Sequence, residues 1–229
     1  LGLLDEPGKI EGGTIQLENH DLADPATEIS SFRGKRIGLI FQDPQTSLNP
    51  VMTIGEQLIE TIQTHLQLDA NEARKRAVAL LDDVGIINAD ARFNDYPHQF
   101  SGGMRQRVVI ALALCADPDI LIADEPTTAL DVSIQSQILA LLQKLKADRN
   151  LAVILITHDM AVISEVADRV VVLKDGRIVE MGAPAAVLGT PSQTYTKSLV
   201  SSVPPTDRRI DRFPIMGAEQ NHAADHNLK

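Results

Sequence analysis

The chain has 229 residues, a formal net charge of −10 and a hydrophobic fraction of 44%, and these values are ordinary for a globular protein. The acidic balance argues against a nucleic-acid binder, which normally presents a basic face. The single cysteine, Cys115, excludes a disulfide framework and a thiolate-bound metal cluster, and it is typical of a reducing compartment.

Four short runs rich in Ile, Val and Leu are predicted to be strands buried on both faces of a parallel sheet. These runs are Lys35–Phe41, Asp119–Asp124, Leu151–Thr157 and Arg169–Lys174. Asp175-Gly176 follows the last run and predicts a two-residue hairpin turn. Helical periods separate the earlier runs, so the sequence favours an α/β fold.

Two consecutive helices are predicted between Thr53 and Gly85. Each begins with a capping box, in which Thr53 is paired with Glu56 and Asp69 with Glu72. Gly85 supplies the stop signal after the second helix. Two helices in a row interrupt the alternation of strand and helix and indicate an inserted helical segment.

The predicted division of the chain follows from this interruption. Residues 46–114 are predicted to form a helical subdomain, inserted into an α/β core made of residues 1–45 and 115–190. Residues 191–229 form a C-terminal extension that ends in a polar segment. That segment, from Pro204 onward, has the composition of a mobile tail.

A strand that ends in consecutive carboxylates is the sharpest chemical feature of the sequence. Residues 120–125 read ILIADE and place Asp124 and Glu125 at the carboxyl edge of a parallel sheet, where α/β ligand sites lie. Asp124 is a candidate Mg²⁺ ligand, and Glu125 is a candidate to polarise an attacking water. Gln42, at the end of the first strand, is a candidate to contact a metal-bound water or a phosphate. The alternative is that these polar side chains are merely solvated at the end of their strands and take no part in binding or catalysis.

Other candidate residues lie at helix starts and after a strand. Ser101 is a good N-cap, and Gly102 and Gly103 would let a phosphate approach bare backbone N–H groups at the positive end of a helix. His158 follows a core strand and could donate a hydrogen bond to a phosphate oxygen. Asp131 precedes a predicted helix and could simply cap it.

The order of these motifs resembles that of the ABC ATPases. Gln42, the stretch SGGMRQR, the stretch ILIADEPT, TALD and finally Thr157-His158-Asp159 are similar to the Q-loop, signature motif, Walker B motif, D-loop and switch histidine of that family. The resemblance implies a P-loop NTPase-like (RecA-like), mostly parallel sheet core with the helical subdomain inserted. It also implies ATP hydrolysis with ATP and Mg²⁺.

In that family two such subunits face each other head to tail, and the resemblance implies a role for each matching position. Asp124 and Gln42 would serve Mg²⁺, while Glu125 and His158 would be catalytic. The residues implied to contact a nucleotide are Gln42, Ser101, Gly102, Gly103 and Asp131.

Three further segments resemble the D-type ATPase subunit of dipeptide and oligopeptide importers. They are FQDPQTSLNP (residues 41–50), SGGMRQRV (residues 101–108) and TPSQTYTKSLVSSVP (residues 190–204). In the last segment Gln193-Thr194-Tyr195-Thr196 replaces the usual His-Pro-Tyr-Thr. The implied partners are a second ABC ATPase subunit, two transmembrane permease subunits and, indirectly, a solute-binding protein. The implied location is the cytoplasmic face of the inner membrane.

Two departures from the family pattern set further expectations. A P-loop requires G-x-x-x-x-G-K-[ST], and the pairs Gly8-Lys9 and Gly34-Lys35 do not fit it. The core is therefore expected to be incomplete at the N-terminus, and the chain alone is expected to be inactive. Many D-type relatives carry tail cysteines that bind an iron–sulfur cluster, and with Cys115 alone no such cluster is expected.

Three alternative functions stay open, and the first two retain ATP hydrolysis. The cargo could be nickel, glutathione or another small solute instead of a peptide. The chain could also belong to a soluble ABC ATPase of DNA repair or translation, although it shows no long heptad run. A third alternative is an interaction module without enzymatic activity.

Overall fold

The computed structural model describes residues 2–3, 8–128 and 130–202. The described residues fall into two compact units, with the division between Thr157 and His158. The boundaries predicted at residues 46, 115 and 191 stay predictions, and the predicted tail from Pro204 onward lies outside the described residues.

A three-stranded parallel sheet forms the centre of the first unit. It follows a short antiparallel pair, β1 (Gln16–Leu17) and β2 (His20–Asp21). The strands of the parallel sheet are, in spatial order, β3 (Ile37–Ile40), β4 (Ile120–Asp124) and β5 (Ala152–Ile156). Each strand lies inside one of the predicted apolar runs, so these three strands are confirmed. Because they are parallel, their carboxyl ends lie at the same edge of the sheet.

Two of the helices in the first unit begin at the predicted capping boxes. The Thr53 hydroxyl accepts a hydrogen bond from the Glu56 N–H at 3.2 Å, and the Glu56 carboxylate accepts one from the Thr53 N–H at 2.7 Å. Asp69 and Glu72 form the same reciprocal pair, and Gly85 adopts a φ of 79° just after the second helix, as a C-terminal stop requires. The helices are α1 (Pro44–Ser47), α2 (Ile54–His65), α3 (Ala70–Asp83), α4 (Ala89–Arg92), α5 (Gly102–Ala113) and α6 (Val132–Arg149).

Strand β3 and helix α5 approach each other closely at Gly38. A Cβ atom placed there would lie 2.4 Å from the backbone oxygen of Ala113 and 3.2 Å from Cδ1 of Leu121, so the space admits only a hydrogen atom. This contact holds the helix that begins with Gly102 and Gly103 against the strand that precedes Gln42. Completely buried side chains of the surrounding apolar core include Ile40, Leu58, Ile110, Leu121 and Ile138.

Two strands form as predicted, but the predicted burial of the first and the predicted sheet of the second are wrong. Burial on both faces fails for β5, because Ile154 and Ile156 are 52% and 48% exposed; among the described residues β5 pairs with β4 alone, so it is an edge strand. The run Arg169–Lys174 does not join the parallel sheet. It forms β6 (Val170–Lys174), which pairs antiparallel with β7 (Arg177–Gly182) in the second unit. A two-residue turn can join only antiparallel strands, and here that local turn decides the pairing.

The second unit is built on this hairpin. Asp175 and Gly176 have φ values of 50° and 72°, the two positive values of a type I′ turn, so the predicted turn is confirmed. Val170, Val172 and Val187 form its small apolar core. The other elements of this unit are α7 (Met160–Val166), a π-helical turn (Ala185–Gly189) and α8 (Thr194–Ser201).

The carboxylate of Glu180, in β7, binds the start of α8. It accepts hydrogen bonds from the Ser192 N–H at 2.8 Å, from the Ser192 hydroxyl at 2.9 Å and from the Gln193 N–H at 3.2 Å. The nearby Thr196 hydroxyl first, and then the Ser192 N–H, lower the pKa of Glu180 from its ordinary value near 4.5 to about 2. The ionised carboxylate is therefore the form that holds α8.

Replacing Glu180 with Gln is expected to lower the melting temperature of the chain at pH 7. A depressed folded-state pKa contributes stability that is present above about pH 4.5 and is lost as the pH falls towards 2. The difference between wild type and Glu180→Gln should therefore shrink as the pH is lowered through that window. Thermal unfolding from pH 7 to pH 3 measures it, with Glu60→Gln on the exposed face of α2 as control. Equal melting temperatures at pH 7 would contradict the anchoring role.

Candidate active site

Gln42 and Glu125 meet at the carboxyl edge of the parallel sheet. Gln42 lies two residues after β3, and Glu125 directly follows β4. Since β3 and β4 pair in parallel register, both residues emerge at the same edge. The Gln42 side-chain amide donates a hydrogen bond from Nε2 to Oε2 of Glu125 at 2.8 Å. The sequence placed Glu125 at the carboxyl edge of a parallel sheet and Gln42 after a strand, and this contact between them is an addition from the structure.

The backbone of Glu125 is fixed in an unusual conformation. Its φ is 45°, in the left-handed region that non-glycine residues rarely adopt. Its N–H donates to the carbonyl oxygen of Ile156 at 2.9 Å, and its own carbonyl accepts from the Thr128 N–H at 3.1 Å. Glu125 is thus tied both to the end of β5 and to the turn that follows β4. Such strain is retained where surrounding contacts impose it, and it is frequent at functional sites.

Thr128 also contacts the Glu125 side chain, and the sequence analysis did not single it out. Its hydroxyl donates to Oε2 of Glu125 at 2.8 Å, the oxygen that also accepts from Gln42. A hydroxyl three residues after an acid, in a turn that begins Glu-Pro, is the only sequence signal for this contact. That signal is common in turns and points to no particular function.

Asp124 is the last residue of β4, half-buried and paired in register with Ile156. Asp124 and Gln42 together offer a carboxylate and an amide oxygen, which suit Mg²⁺. This ion is typically held by one or two carboxylates, water and substrate phosphates. The described residues contain no group of three or more acidic, His or Cys side chains that could by itself hold a metal ion, and Mg²⁺ bound to a nucleotide does not need one. The donor set fits the ion, and the assignment of Asp124 and Gln42 to it stays a prediction.

The Ser101-Gly102-Gly103 segment starts helix α5 as predicted. The Ser101 hydroxyl accepts a hydrogen bond from the Met104 N–H at 3.3 Å. A Cβ atom at Gly103 would lie 2.6 Å from Cγ2 of Ile134 in α6, so this glycine is also required by packing between helices. A Cβ at Gly102 would meet only ordinary contact, 3.6 Å from Leu130 Cδ2. The first N–H groups of a helix have no partner within it, so a phosphate could bind them here.

Asp131 and His158 are the two remaining predicted site residues. Asp131 occupies the N-cap position of α6, and its carbonyl accepts from the Gln135 N–H at 2.8 Å. Its side chain makes no capping hydrogen bond, so the capping alternative does not account for this carboxylate. His158 is the first residue of the second unit. It precedes Asp159, whose side chain caps α7. The functional roles of Asp131 and His158 stay predictions.

The amino-acid sequence is similar to one family model and to proteins of known name. Residues 2–128 match the family model described as ABC transporter. The oligopeptide transport ATP-binding protein AppD of Bacillus subtilis (strain 168) is 47% identical over 215 residues, 93% of this chain. The dipeptide transport ATP-binding protein DppD of the same organism is 48% identical over 221 residues, 96% of this chain. The chain spans 66% and 64% of their lengths, less than two thirds of each.

Solved structures are similar as well. The dimeric, post-hydrolysis structure of the ATP-binding cassette MJ0796 bound to ADP and Pi matches 77% of this chain and 75% of that chain. The TM-score is 0.67 and the sequence identity is 32%. The expected fold class, a P-loop NTPase-like α/β core with helices, agrees with this similarity.

Proposed function

Since this chain belongs to the ABC transporter family, we propose that it is the ATP-binding and ATP-hydrolysing subunit of an importer of dipeptides or oligopeptides. The names of AppD and DppD, which are 47% and 48% identical to it, support the cargo. The resemblance of residues 41–50 and 190–204 to peptide-importer segments is consistent with the same cargo.

The observation that carries the proposal is the hydrogen bond between Gln42 and Glu125. The two residues are 83 positions apart in the sequence, yet the parallel sheet delivers both to one edge. Glu125 accepts a proton from the attacking water or orients it, and such general-base action requires a carboxylate held in a defined position. Gln42 contacts that carboxylate, and in this proposal it also contacts the bound nucleotide. Mg²⁺, held by Asp124 and Gln42, would neutralise phosphate charge.

The remaining site residues, except His158, act across a dimer in this proposal. Ser101, Gly102 and Gly103 bind the γ-phosphate of a nucleotide held by the partner subunit, through N–H groups at the start of α5. Asp131 bridges the two sites, and His158 donates a hydrogen bond to a phosphate oxygen. The dimeric form of the MJ0796 cassette supports an arrangement of this kind.

The P-loop consensus is not among these 229 residues. A P-loop supplies a nest of N–H groups and a lysine for the β- and γ-phosphates. We therefore propose that the 229-residue chain by itself neither binds ATP tightly nor hydrolyses it. Experiments on turnover accordingly call for the whole protein.

The proposed partners are a second ABC ATPase subunit, two transmembrane permease subunits and, indirectly, a solute-binding protein. The proposed location is peripheral, on the cytoplasmic face of the inner membrane. Among the residues that the structure describes, no helix has both the length and the apolar character needed to cross a bilayer.

We expect ATP hydrolysis by the whole protein, reconstituted with its two membrane subunits, to rise when a peptide-loaded binding protein is added. In this proposal the membrane subunits couple delivery of the cargo to closure of the ATPase dimer. Phosphate release from proteoliposomes measures the response, with nickel and glutathione as competing cargoes. Stimulation by either of these alone would replace the peptide assignment. Full activity that is indifferent to the membrane subunits would instead favour a soluble ABC ATPase.

A further inference from the structure

We propose that Thr128 is a positioning residue for the Glu125 carboxylate; this inference rests on the proposed function and deepens it. The Thr128 hydroxyl donates to Oε2 of Glu125 at 2.8 Å. The same oxygen accepts the Gln42 amide at 2.8 Å. Two donors on one oxygen limit rotation of the carboxylate and set the direction in which the group faces.

The two donors differ in how they are attached to Glu125. Thr128 belongs to the same turn as Glu125, because its N–H donates to the Glu125 carbonyl at 3.1 Å. The neighbouring residue Thr127 is only 9% exposed, and its burial anchors the turn. The Glu125 N–H donates to the carbonyl oxygen of Ile156. Thr128 therefore moves with Glu125. Gln42 comes from another strand and is exposed.

The two hydrogen bonds to Glu125 therefore have different roles. If Gln42 turns towards a nucleotide, it leaves Oε2, and the Thr128 hydroxyl keeps the carboxylate oriented. A reacting group must be held close to its productive geometry, since small misplacements cost large factors in rate. Loss of the hydroxyl should therefore reduce turnover without weakening nucleotide binding.

The test compares two replacements of Thr128 in the whole protein. Thr128→Val keeps the shape of the side chain and removes the hydroxyl, while Thr128→Ser keeps the hydroxyl. We expect Thr128→Val to lower kcat by about 10- to 100-fold, with KM for ATP changed by less than about twofold. Thr128→Ser should stay within about threefold of wild type. Thr64→Val is the matched control, because the exposed Thr64 hydroxyl donates only within α2, to Glu60 at 2.7 Å.

A second comparison asks whether Thr128 acts through Glu125. In a Glu125→Gln background, adding Thr128→Val should cause no further loss, because residues that act as a unit are not additive. Normal kcat in Thr128→Val, or a full additional loss in the double variant, would overturn the inference. A rise in KM together with a lower melting temperature would assign Thr128 a structural role and would also overturn it.

The failure of the proposed function is distinguishable from the failure of this inference. If the wild type shows no ATP hydrolysis, the proposed function falls and this inference falls with it. If Glu125→Gln abolishes turnover while Thr128→Val leaves it intact, only the role of Thr128 is refuted.

Discussion

Replacing Glu125 with Gln is expected to lower steady-state ATP hydrolysis by the whole protein by about 10²- to 10⁴-fold, the contribution typical of a general base. The amide has the size of the carboxylate, and its oxygen can still accept hydrogen bonds from Thr128 and Gln42. It cannot accept a proton from water at neutral pH. The loss should therefore lie in turnover, while ATP binding is retained and the closed dimer accumulates.

Phosphate release and equilibrium binding of a fluorescent ATP analogue separate these two effects. Glu60→Gln, an equivalent change on an exposed position of α2, serves as the control and should retain wild-type turnover. Near-normal hydrolysis by Glu125→Gln would remove Glu125 from its assigned role. Loss of ATP binding in the same variant would show that the side chain serves the binding step instead.

Replacing Gly38 with Ala is expected to destabilise the first unit by about 3 kcal/mol, the upper end of the usual range for overpacking. The added methyl group would lie 2.4 Å from the backbone oxygen of Ala113, and also 3.2 Å from side-chain atoms of Leu121 and Pro118. A backbone oxygen cannot move aside by changing rotamer. Strand β3 and helix α5 would have to separate, which would also disturb the segment that carries Gln42.

Thermal unfolding measures this effect, and a loss of about 3 kcal/mol corresponds to a decrease of about 6–12 °C in a domain of this size. Gly12→Ala is the matched control, because no heavy atom of the described residues, apart from Gly12 and its chain neighbours, lies within 4 Å of a Cβ at that position. Equal melting temperatures for the Gly38 and Gly12 variants would show that β3 and α5 can move apart without lowering the free energy of unfolding.

The sequence predicted best the features that are encoded locally. The capping boxes at Thr53 and Asp69 need only residues three positions apart, and the type I′ turn at Asp175-Gly176 needs only two neighbours. Glu125 was predicted to lie at the carboxyl edge of a parallel sheet and Gln42 at the end of a strand, because each follows an apolar run. That reasoning did not give the hydrogen bond between their side chains.

Features that depend on distant partners were predicted poorly or not at all. The run of β6 was assigned to the wrong sheet because its apolar composition does not show its neighbours, although the predicted turn at Asp175-Gly176 already required an antiparallel partner. The exposure of Ile154 depends on which strands flank β5, which composition does not show. The contact of Thr128 with Glu125 depends on a left-handed φ at Glu125, and a non-glycine residue gives no warning of that conformation.

The exposed edge of β5 has a consequence for the colloidal behaviour of the chain. Among the described residues its outer edge has no strand partner, and Ile154 and Ile156 are exposed beside it. An unpaired edge with apolar side chains is a template for pairing between copies. At neutral pH the net charge of −10 opposes such encounters. This repulsion vanishes near the isoelectric point, about 5.0, so we expect association through this edge to be fastest there and slowest in a slightly alkaline buffer of low ionic strength.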